Sequence, residues 1–372
     1  MKLVFITRKI DRNDPLTGFV LTWISKLATR LEKFYVICQE KGDTSGLAKN
    51  IEVFSFGKEK GYGRLRQGYE LLVISFRLAR SADGFFVHMH PIYAIIAWLP
   101  AKLFGRKMIL WYTHKSVDLK LKIAHALVDV VFTASKESFR LPSNKVRVVG
   151  HGIDIGKFTS LPNPPHQGEG EFTSHSSPLG GGGKVGGKKF RIVSIGRISP
   201  VKDYESLIKA AEILVNEQGV KDIEVEIYGK IGLPQHQSYL DSLLKFIENA
   251  GLENYVKYQG ELGYDYIDEV LQEADLSANM SGTGSIDKAV LEAAAAGKLV
   301  ITSNEGFAEP LAKISPLLYF QRDKPAELAE KILALKNLDE NTKGQIREKL
   351  RNWVEAEHNL ENLVKKIIAE FS

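Results

Sequence analysis

FRIVSIGRISPVKDYESLIKAAEILV, residues 190–215, opens on an apolar run, turns at a glycine and continues as a helical pattern. FRIVSIG (190–196) reads as a strand buried on both faces. Gly196 lets the chain turn without a Cβ clash. Asp203 stands where a helix cap is expected, and apolar residues then recur at helical spacing. A strand, a short loop and a helix in immediate succession form half of a βαβ unit.

The same scheme extends in both directions. Downstream, IEVEIYG (223–229), YVKYQG (255–260), DLSANM (275–280), KLVITS (298–303) and PLLYF (316–320) read as strands with helices between them. Upstream, KLVFIT (2–7), YVICQ (35–39), IEVFSF (51–56), GFFVHMH (84–90), MILWYT (108–113), VDVVFTAS (128–135) and VRVVG (146–150) do the same. Helical patterns cover 19–31, 64–80, 91–104 and a stretch from about 116. The expectation is an α/β protein with two doubly wound, Rossmann-like domains, residues 1–160 and 190–352, facing a central cleft. A long helical pattern closes the chain at 346–371, and its part 353–371 is expected to cross back onto the first domain. Residues 161–189 are rich in Gly, Pro and Ser and read as a disordered linker. The G-x-x-x-x-G-K at 182–188 is a decoy, because Lys189 follows it and neither strand nor helix flanks it.

The chain has 372 residues, 44% of them apolar and 26% charged, with a net charge of +5. One cysteine, Cys38, excludes an internal disulfide framework, and no apolar run suits a signal peptide or a membrane span. The expectation is a cytoplasmic protein. The charge is unevenly spread. Residues 1–160 hold 26 Lys and Arg against 13 Asp and Glu, whereas 190–372 hold 21 against 30. So strong a contrast implies that the first half meets something anionic.

Open α/β sheets bind ligands beyond the carboxyl ends of their strands, so the cleft is where chemistry is expected. Arg197 and Lys202 flank the loop after the 190–196 strand. Two cations there suit a diphosphate: an Arg fork and a Lys point charge. Alone they would pass for solvated surface residues, and Lys202 is expected to carry no structural load. SGTGSIDKAVLEAAAAG (281–297) runs from small residues into a helix. Backbone N–H groups at such a start favour anions, and the bare Gly282 and Gly284 allow close approach. Glu292 is a lone acid among alanines. It suits a pair of neighbouring hydroxyls, or else forms an i, i+4 surface pair with Lys288. His114 ends a strand and could donate or polarise at neutral pH. His88 and His90 have the spacing of a metal pair but no further ligand nearby, so packing or acceptor contact is expected.

These segments together resemble glycosyltransferase family 4. G-R-I-S-P-V-K-D (196–203) resembles that family's donor signature, LEAAAAGKLVITS (291–303) its second-domain helix and strand, and HMHP (88–91), WYTH (111–114), VDVVFTASKESFR (128–140) and VRVVGHGIDIGKF (146–158) its first-domain and link segments. The resemblance implies a retaining enzyme of GT-B fold that takes sugar from a nucleoside-diphosphate sugar, with no further cofactor and no metal. By it, Arg197, Lys202 and His114 serve catalysis. Gly18, Gly196, Gly229, Lys230, Glu261, Leu262, Gly284, Ser285, Ile286, Asp287, Lys288 and Glu292 hold the donor, with Glu292 on the ribose. Arg8, Arg12, His88 and His90 lie toward the acceptor, a glycan or a lipid-linked or anionic molecule, and no nucleic-acid partner is implied.

The sequence departs from the family in three places, the first being its first glycine loop, reduced to Leu-Thr-Gly-Phe (16–19) with Gly18 as the expected backbone donor to phosphate. Gly284 stands where a first glutamate is usual, so Asp287 or Lys288 is expected to contact the sugar instead. His151 replaces the common Asn. A nicotinamide-dependent dehydrogenase would need a G-x-G-x-x-G that the first strand lacks. A non-catalytic GT-B module that binds a nucleotide sugar, glycan or protein is the other reading. Arg8, Lys9 and Arg12, placed in the first loop, together with Arg64, Arg66, Arg77 and Arg80, suggest peripheral contact with an anionic membrane.

Overall fold

The computed structural model describes residues 1–14, 18–159, 189–282 and 285–372. The linker reading of 161–188 and the donor reading of Gly284 fall outside the described residues.

The first domain holds β1 (Lys2–Ile10), α1 (Gly18–Ala28), β2 (Lys33–Lys41), β3 (Ile51–Ser55), α2 (Arg64–Ala79), β4 (Gly84–His88), α3 (Pro91–Leu103), β5 (Lys107–Trp111), α4 (Leu119–Leu127), β6 (Val130–Thr133), β7 (Val146–Val148) and α5 (Ile155–Thr159). Its strands form a parallel sheet in the order β3-β2-β1-β4-β5-β6-β7. α1 covers one face of this sheet through Trp23, Ile24 and Leu27, against Phe5, Phe34 and Trp111. α2, α3 and α4 cover the other, packing Leu71, Leu78, Ala97 and Leu121 against Val4, Ile6, Phe85 and Leu110. Strands covered on both faces must be apolar throughout, which is why they were conspicuous in the sequence.

The second domain holds β8 (Phe190–Ile195), α6 (Tyr204–Glu212), β9 (Ile223–Tyr228), α7 (Gln237–Asn249), β10 (Val256–Gly260), α8 (Ile267–Glu273), β11 (Leu276–Asn279), α9 (Lys288–Ala295), β12 (Leu299–Thr302), α10 (Ala308–Ile314), α11 (Pro325–Asn337) and α12 (Glu340–His358). Its sheet runs β10-β9-β8-β11-β12, again parallel. In both sheets the order reverses after the first strand, at β1/β4 and at β8/β11. Those reversals open a crevice at the strand ends. Gly229 is required by close approach there, since a Cβ on it would lie 1.8 Å from the carbonyl oxygen of Gly196.

Four expectations need correction. PLLYF is not a strand. Pro316 has no N–H to donate, and Pro316–Leu318 makes a single 3-10 turn, leaving one bridge from Tyr319 to Thr302. The terminal helical pattern is two helices, α12 and α13 (Leu360–Phe371), because Asn359 takes an extended backbone and caps the second, accepting from Glu361 N at 2.7 Å. Residues 353–358 therefore stay with α12, where Trp353 packs edge-on against Phe307. Arg8 and Lys9 are not in a loop, because pairing with β2 continues to Ile10. Asp203 occupies the cap position with a left-handed backbone (φ 49°), and its side chain accepts from the Ser206 hydroxyl at 2.7 Å instead of from the helix backbone.

α13 packs against α1 and ties the chain's end to the first domain. Lys26 pairs with Glu361 at 2.8 Å, and Lys107 with Glu370 at 2.6 Å. Where the chain returns, its backbone crosses the segment after β7: Ile153 N donates to His358 O at 2.6 Å, and Leu360 N to Ile153 O at 2.8 Å. Gly150 (φ 85°) makes the crossing possible, since a Cβ there would sit 1.8 Å from Glu357 O. Overpacking and a left-handed alanine together should make Gly150→Ala cost about 3 kcal/mol. Urea unfolding checks this, with the exposed Gly219→Ala as the comparison, where backbone strain alone should cost about 1 kcal/mol.

Candidate functional site

The β8/β11 crevice gathers side chains from several distant segments. After β8, Gly196 turns the chain, and the Tyr204 hydroxyl holds it by donating to Gly196 O at 2.8 Å. One 3-10 turn, Pro200–Lys202, then returns the Lys202 side chain toward the crevice, 3.4 Å (Cε) from where a Gly196 Cβ would stand. Lys202 Nζ is ion-paired with Asp287 Oδ2, both side chains largely buried. Asn279, the last residue of β11, donates to the same Asp287 oxygen at 3.0 Å. Asp287 also caps α9 through Ala289 N. Burial would raise the Asp287 pKa, but the Lys202 charge and the hydrogen bonds from Lys202 and Asn279 outweigh it and hold the carboxyl below its ordinary range.

The next residue, Lys288, has its Nζ 2.9 Å from Glu292 Oε1, one turn further along α9, and donates to the Tyr264 hydroxyl at 3.2 Å. It also lies 4.3 Å from the ring centre of Phe19 in α1, so this cation spans the two domains. Burial lowers its pKa, against the raising effect of Glu292. The i, i+4 pair considered in the sequence therefore exists, but Glu292 is 4% exposed and the pair is not a surface one. Tyr264 is the hub of this corner. Lys157 Nζ stands 3.7 Å from its ring centre and Lys288 Nζ 4.6 Å. A Cβ on Gly18, at the start of α1, would already meet Tyr264 Cβ at 3.2 Å. The loop before α9 is fixed from both domains: Ile286 N donates to Ser138 Oγ at 3.3 Å, and Asn304 Nδ2 to Ser285 O at 2.7 Å.

The remaining residues are more dispersed. Arg197 is exposed and has no ion-pair partner among the described residues. Gly229, Lys230, Glu261 and Leu262 sit at the ends of β9 and β10, with Lys230 and Glu261 paired at 3.2 Å on an open rim. Across the gap, His114 is exposed and accepts from Ser116 N through Nδ1 at 3.1 Å, which leaves Nε2–H as its free donor when neutral. His90 precedes α3 and tilts against Tyr93, with ring centres 4.9 Å apart. Arg8 and Arg12 are exposed. His88 is interior: it stacks on Phe5 (5.7 Å, 22°) and pairs with the Thr7 hydroxyl at 3.1 Å. Among the described residues no group of three or more His, Cys, Asp or Glu stands together in a way that could hold a metal. A cleft of about 730 Å³ lies between the domains beside Tyr264, lined on one side by Arg12, Gly18 and Lys26 and on the other by Glu261 and Asp265.

Sequence reasoning passed over Tyr264, Lys157, Ser138 and Asn279. Asn279 was read only as part of the strand DLSANM, although its place at that strand's carboxyl end was the signal. Gly282 has a different use from the one expected. A Cβ there would collide with Arg322 Cδ at 2.6 Å, so the bare backbone makes room for an arginine of the same chain.

Two Rossmann-like domains across a cleft, tied by a returning C-terminal helix, constitute the GT-B fold. Comparison with known proteins agrees. Residues 183–359 match the family model for glycosyl transferases group 1. Over 118 residues the chain is 25% identical to the Mus musculus GDP-Man:Man(3)GlcNAc(2)-PP-Dol alpha-1,2-mannosyltransferase, a match that covers 31% of this chain and 24% of the mouse protein. The structure of Anabaena Alr3699/HepE in complex with UDP superposes with a TM-score of 0.75 at 18% identity, covering 100% of this chain and 99% of that one. A glycosyltransferase from Rickettsia africae ESF-5 gives 0.74 at 15% identity, covering 100% and 97%. Identities this low speak for the fold.

His88 and His358 are buried and His151 is half-buried, and desolvation lowers the pKa values of His88, His151 and His358 from 6.5 to about 3, 4 and 3. The folded chain keeps them neutral while the unfolded chain takes up protons below about pH 6.5. Their stabilisation is therefore complete above that pH and is lost as pH falls, at about 1.4 kcal/mol per unit for each proton. Denaturant unfolding between about pH 6.5 and 5 should show this slope. His88→Phe, which keeps the ring stack, should lower it by one proton's share.

Proposed function

We propose that this chain is a glycosyltransferase that moves a sugar, with retention, from a nucleoside-diphosphate sugar to an acceptor held on the first domain. The observation that carries the reading is the Lys202–Asp287–Asn279 cluster at the β8/β11 reversal, beside the buried Lys288–Glu292 pair. It is a charged, largely dry site at the position where open α/β sheets take ligands. The family match over 183–359 and the UDP-bound structural neighbour support the choice of ligand class.

In this reading the diphosphate lies between Lys202 and Arg197. Lys202 then exchanges one anionic partner, Asp287, for another. The released carboxylate can accept hydrogen bonds from sugar hydroxyls, the task left open by Gly284. Glu292 takes the ribose hydroxyls, and its partner Lys288 is left to the phosphates or to Tyr264. As the bond from the sugar's anomeric carbon to the diphosphate oxygen breaks, charge builds on the leaving group, where the two cations act most strongly. The acceptor oxygen bonds to the same face of that carbon, and its proton passes to the departing phosphate oxygen. His114 Nε2–H is the first-domain donor assigned to the transferring sugar.

The Lys202–Asp287 pair also gives specific support to a second reading, a non-catalytic module, because it neutralises the cation that transfer requires. A thermal-shift screen over UDP-, GDP- and ADP-sugars, followed by an assay for transfer or donor hydrolysis, separates the two. No shift with any nucleotide would sink both the enzyme reading and nucleotide binding. A shift without turnover would leave the binding module.

Lys202→Ala should lower turnover by about 10² or more, the scale of losing one preorganised charge contact. Lys202 was expected to carry no structural load. Because it is paired, the substitution should also cost about 1–3 kcal/mol by leaving Asp287 buried without its partner. Lys202→Ala with Asp287→Asn, which removes the unpaired charge and keeps an oxygen to cap α9, should recover part of that stability but not the turnover. Glu292→Ala should weaken the nucleoside diphosphate itself, measured by titration calorimetry.

A further inference from the structure

The helix layer formed by α2, α3 and α4 buries its inner side on the first-domain sheet and leaves an unusual outer side. α2 shows Leu65 (93% exposed), Tyr69 (65%) and Val73 in one i, i+4 stripe. α3 shows Ile92, Leu99 and Leu103 (64%), and α4 shows Leu119 (71%) and Ile123. With Phe104 and Val117, these are ten of the fifteen exposed large apolar side chains among the described residues. The helices are neighbours, Gly68 of α2 standing 3.7 Å from Ile96 Cδ1 of α3 when given a Cβ, so the side chains share one surface. Scattered singly they would mean nothing, but gathered on one face they mark an interaction surface.

The same face is basic. Residues 64–123 hold ten Lys and Arg against three Asp and Glu. Arg64, Arg66, Arg77, Arg80, Lys102, Lys120 and Lys122 are all exposed. Only Arg66 among these seven has a salt-bridge partner, Glu70 at 3.8 Å. By contrast, Lys9 of the first-strand cluster is held by Asp11 (3.0 Å), Asp14 (2.7 Å) and Glu40 (3.6 Å) and adds no free charge.

We propose that this face seats on an anionic lipid leaflet. Protein–protein interfaces exclude Lys from their apolar cores, whereas here cations and aliphatic side chains alternate on the same helical ridges. A lipid surface accepts that mixture, because phosphate is available beside every cation and acyl chains lie just beneath. Lys and Arg stems also add apolar contact while their heads stay at the phosphate level. The helices lie along the face and do not cross it: no helix among the described residues is long and apolar enough to span a membrane. α3 begins beside His90, and its most exposed apolar side chain, Leu103, stands at its far end. The proposal does not depend on sugar transfer.

The test is flotation of the full chain with phosphatidylcholine vesicles, with and without phosphatidylglycerol. Binding should need the anionic lipid and fall as salt rises. Lys120→Ser with Lys122→Ser should weaken it about thirty-fold. Leu103→Ser with Leu119→Ser should weaken it with little change in its salt dependence. Both pairs are exposed, so thermal stability and any nucleotide-induced shift should stay as in the parent. Equal binding to neutral and anionic vesicles would overturn the proposal. So would binding to a soluble polyanion that matches the vesicles and ignores the leucine changes. Self-association that these variants abolish, without vesicle binding, would instead assign the face to a second copy of the chain.

Discussion

The arrangement of the two domains depends on one backbone crossing. The chain leaves the first domain at 150–153 and comes back over the same residues at 357–360, joined by two main-chain hydrogen bonds. Outgoing and returning strands can touch only because Gly150 and Gly152 carry no side chain. Trp23 fills the space beside Gly152 and donates to its carbonyl at 3.0 Å. Everything the cleft does relies on this crossing. α13 holds the first domain, α12 packs on α9, and the extended Asn359 lies between them. Two histidines meet at the crossing, where His151 N donates to His358 Nδ1 at 3.1 Å, and desolvation keeps both neutral near neutral pH.

Much of the fold was legible because doubly covered strands must be apolar along their whole length. Where the sequence misled, a local signal had been outweighed by a longer pattern. The apolar run 316–320 concealed the proline that forbids a strand there. Continuous helical spacing concealed Asn359, whose side chain both ends one helix and starts the next. Lys202 could be found because it follows a strand and a glycine within a few residues. Its partner Asp287 lies 85 residues away. That pairing follows from strand order, which the sequence does not state. Tyr264 was invisible for a similar reason. An aromatic residue in a loop looks like any other until two lysines from different segments close on its ring.

The first domain makes a complementary point about charge. Its excess of cations was evident from the sequence, but not which of them are free. Lys9 is consumed by three carboxylates within its own loop-and-strand corner, and Lys26 and Lys107 by the returning helix. The surplus that remains is concentrated on the α2–α4 layer. Net charge thus overstated the basic character of the cleft and understated that of the outer face.

The internal pairing of Lys202 has a consequence for selectivity. An empty cationic pocket would fill with whatever small anion is abundant, inorganic phosphate above all. Here the cation already has a carboxylate partner, fixed by Asn279 and by the start of α9. An incoming anion must do better than a preorganised neighbour that bears no translational cost of binding. A lone phosphate brings one contact and displaces one, with little net gain. On the proposed reading, a ligand with hydroxyls both for Glu292 and for the freed Asp287 recovers the loss. On that reading the acidic neighbour is a resident decoy, setting a threshold that a multi-part ligand crosses and a lone phosphate does not.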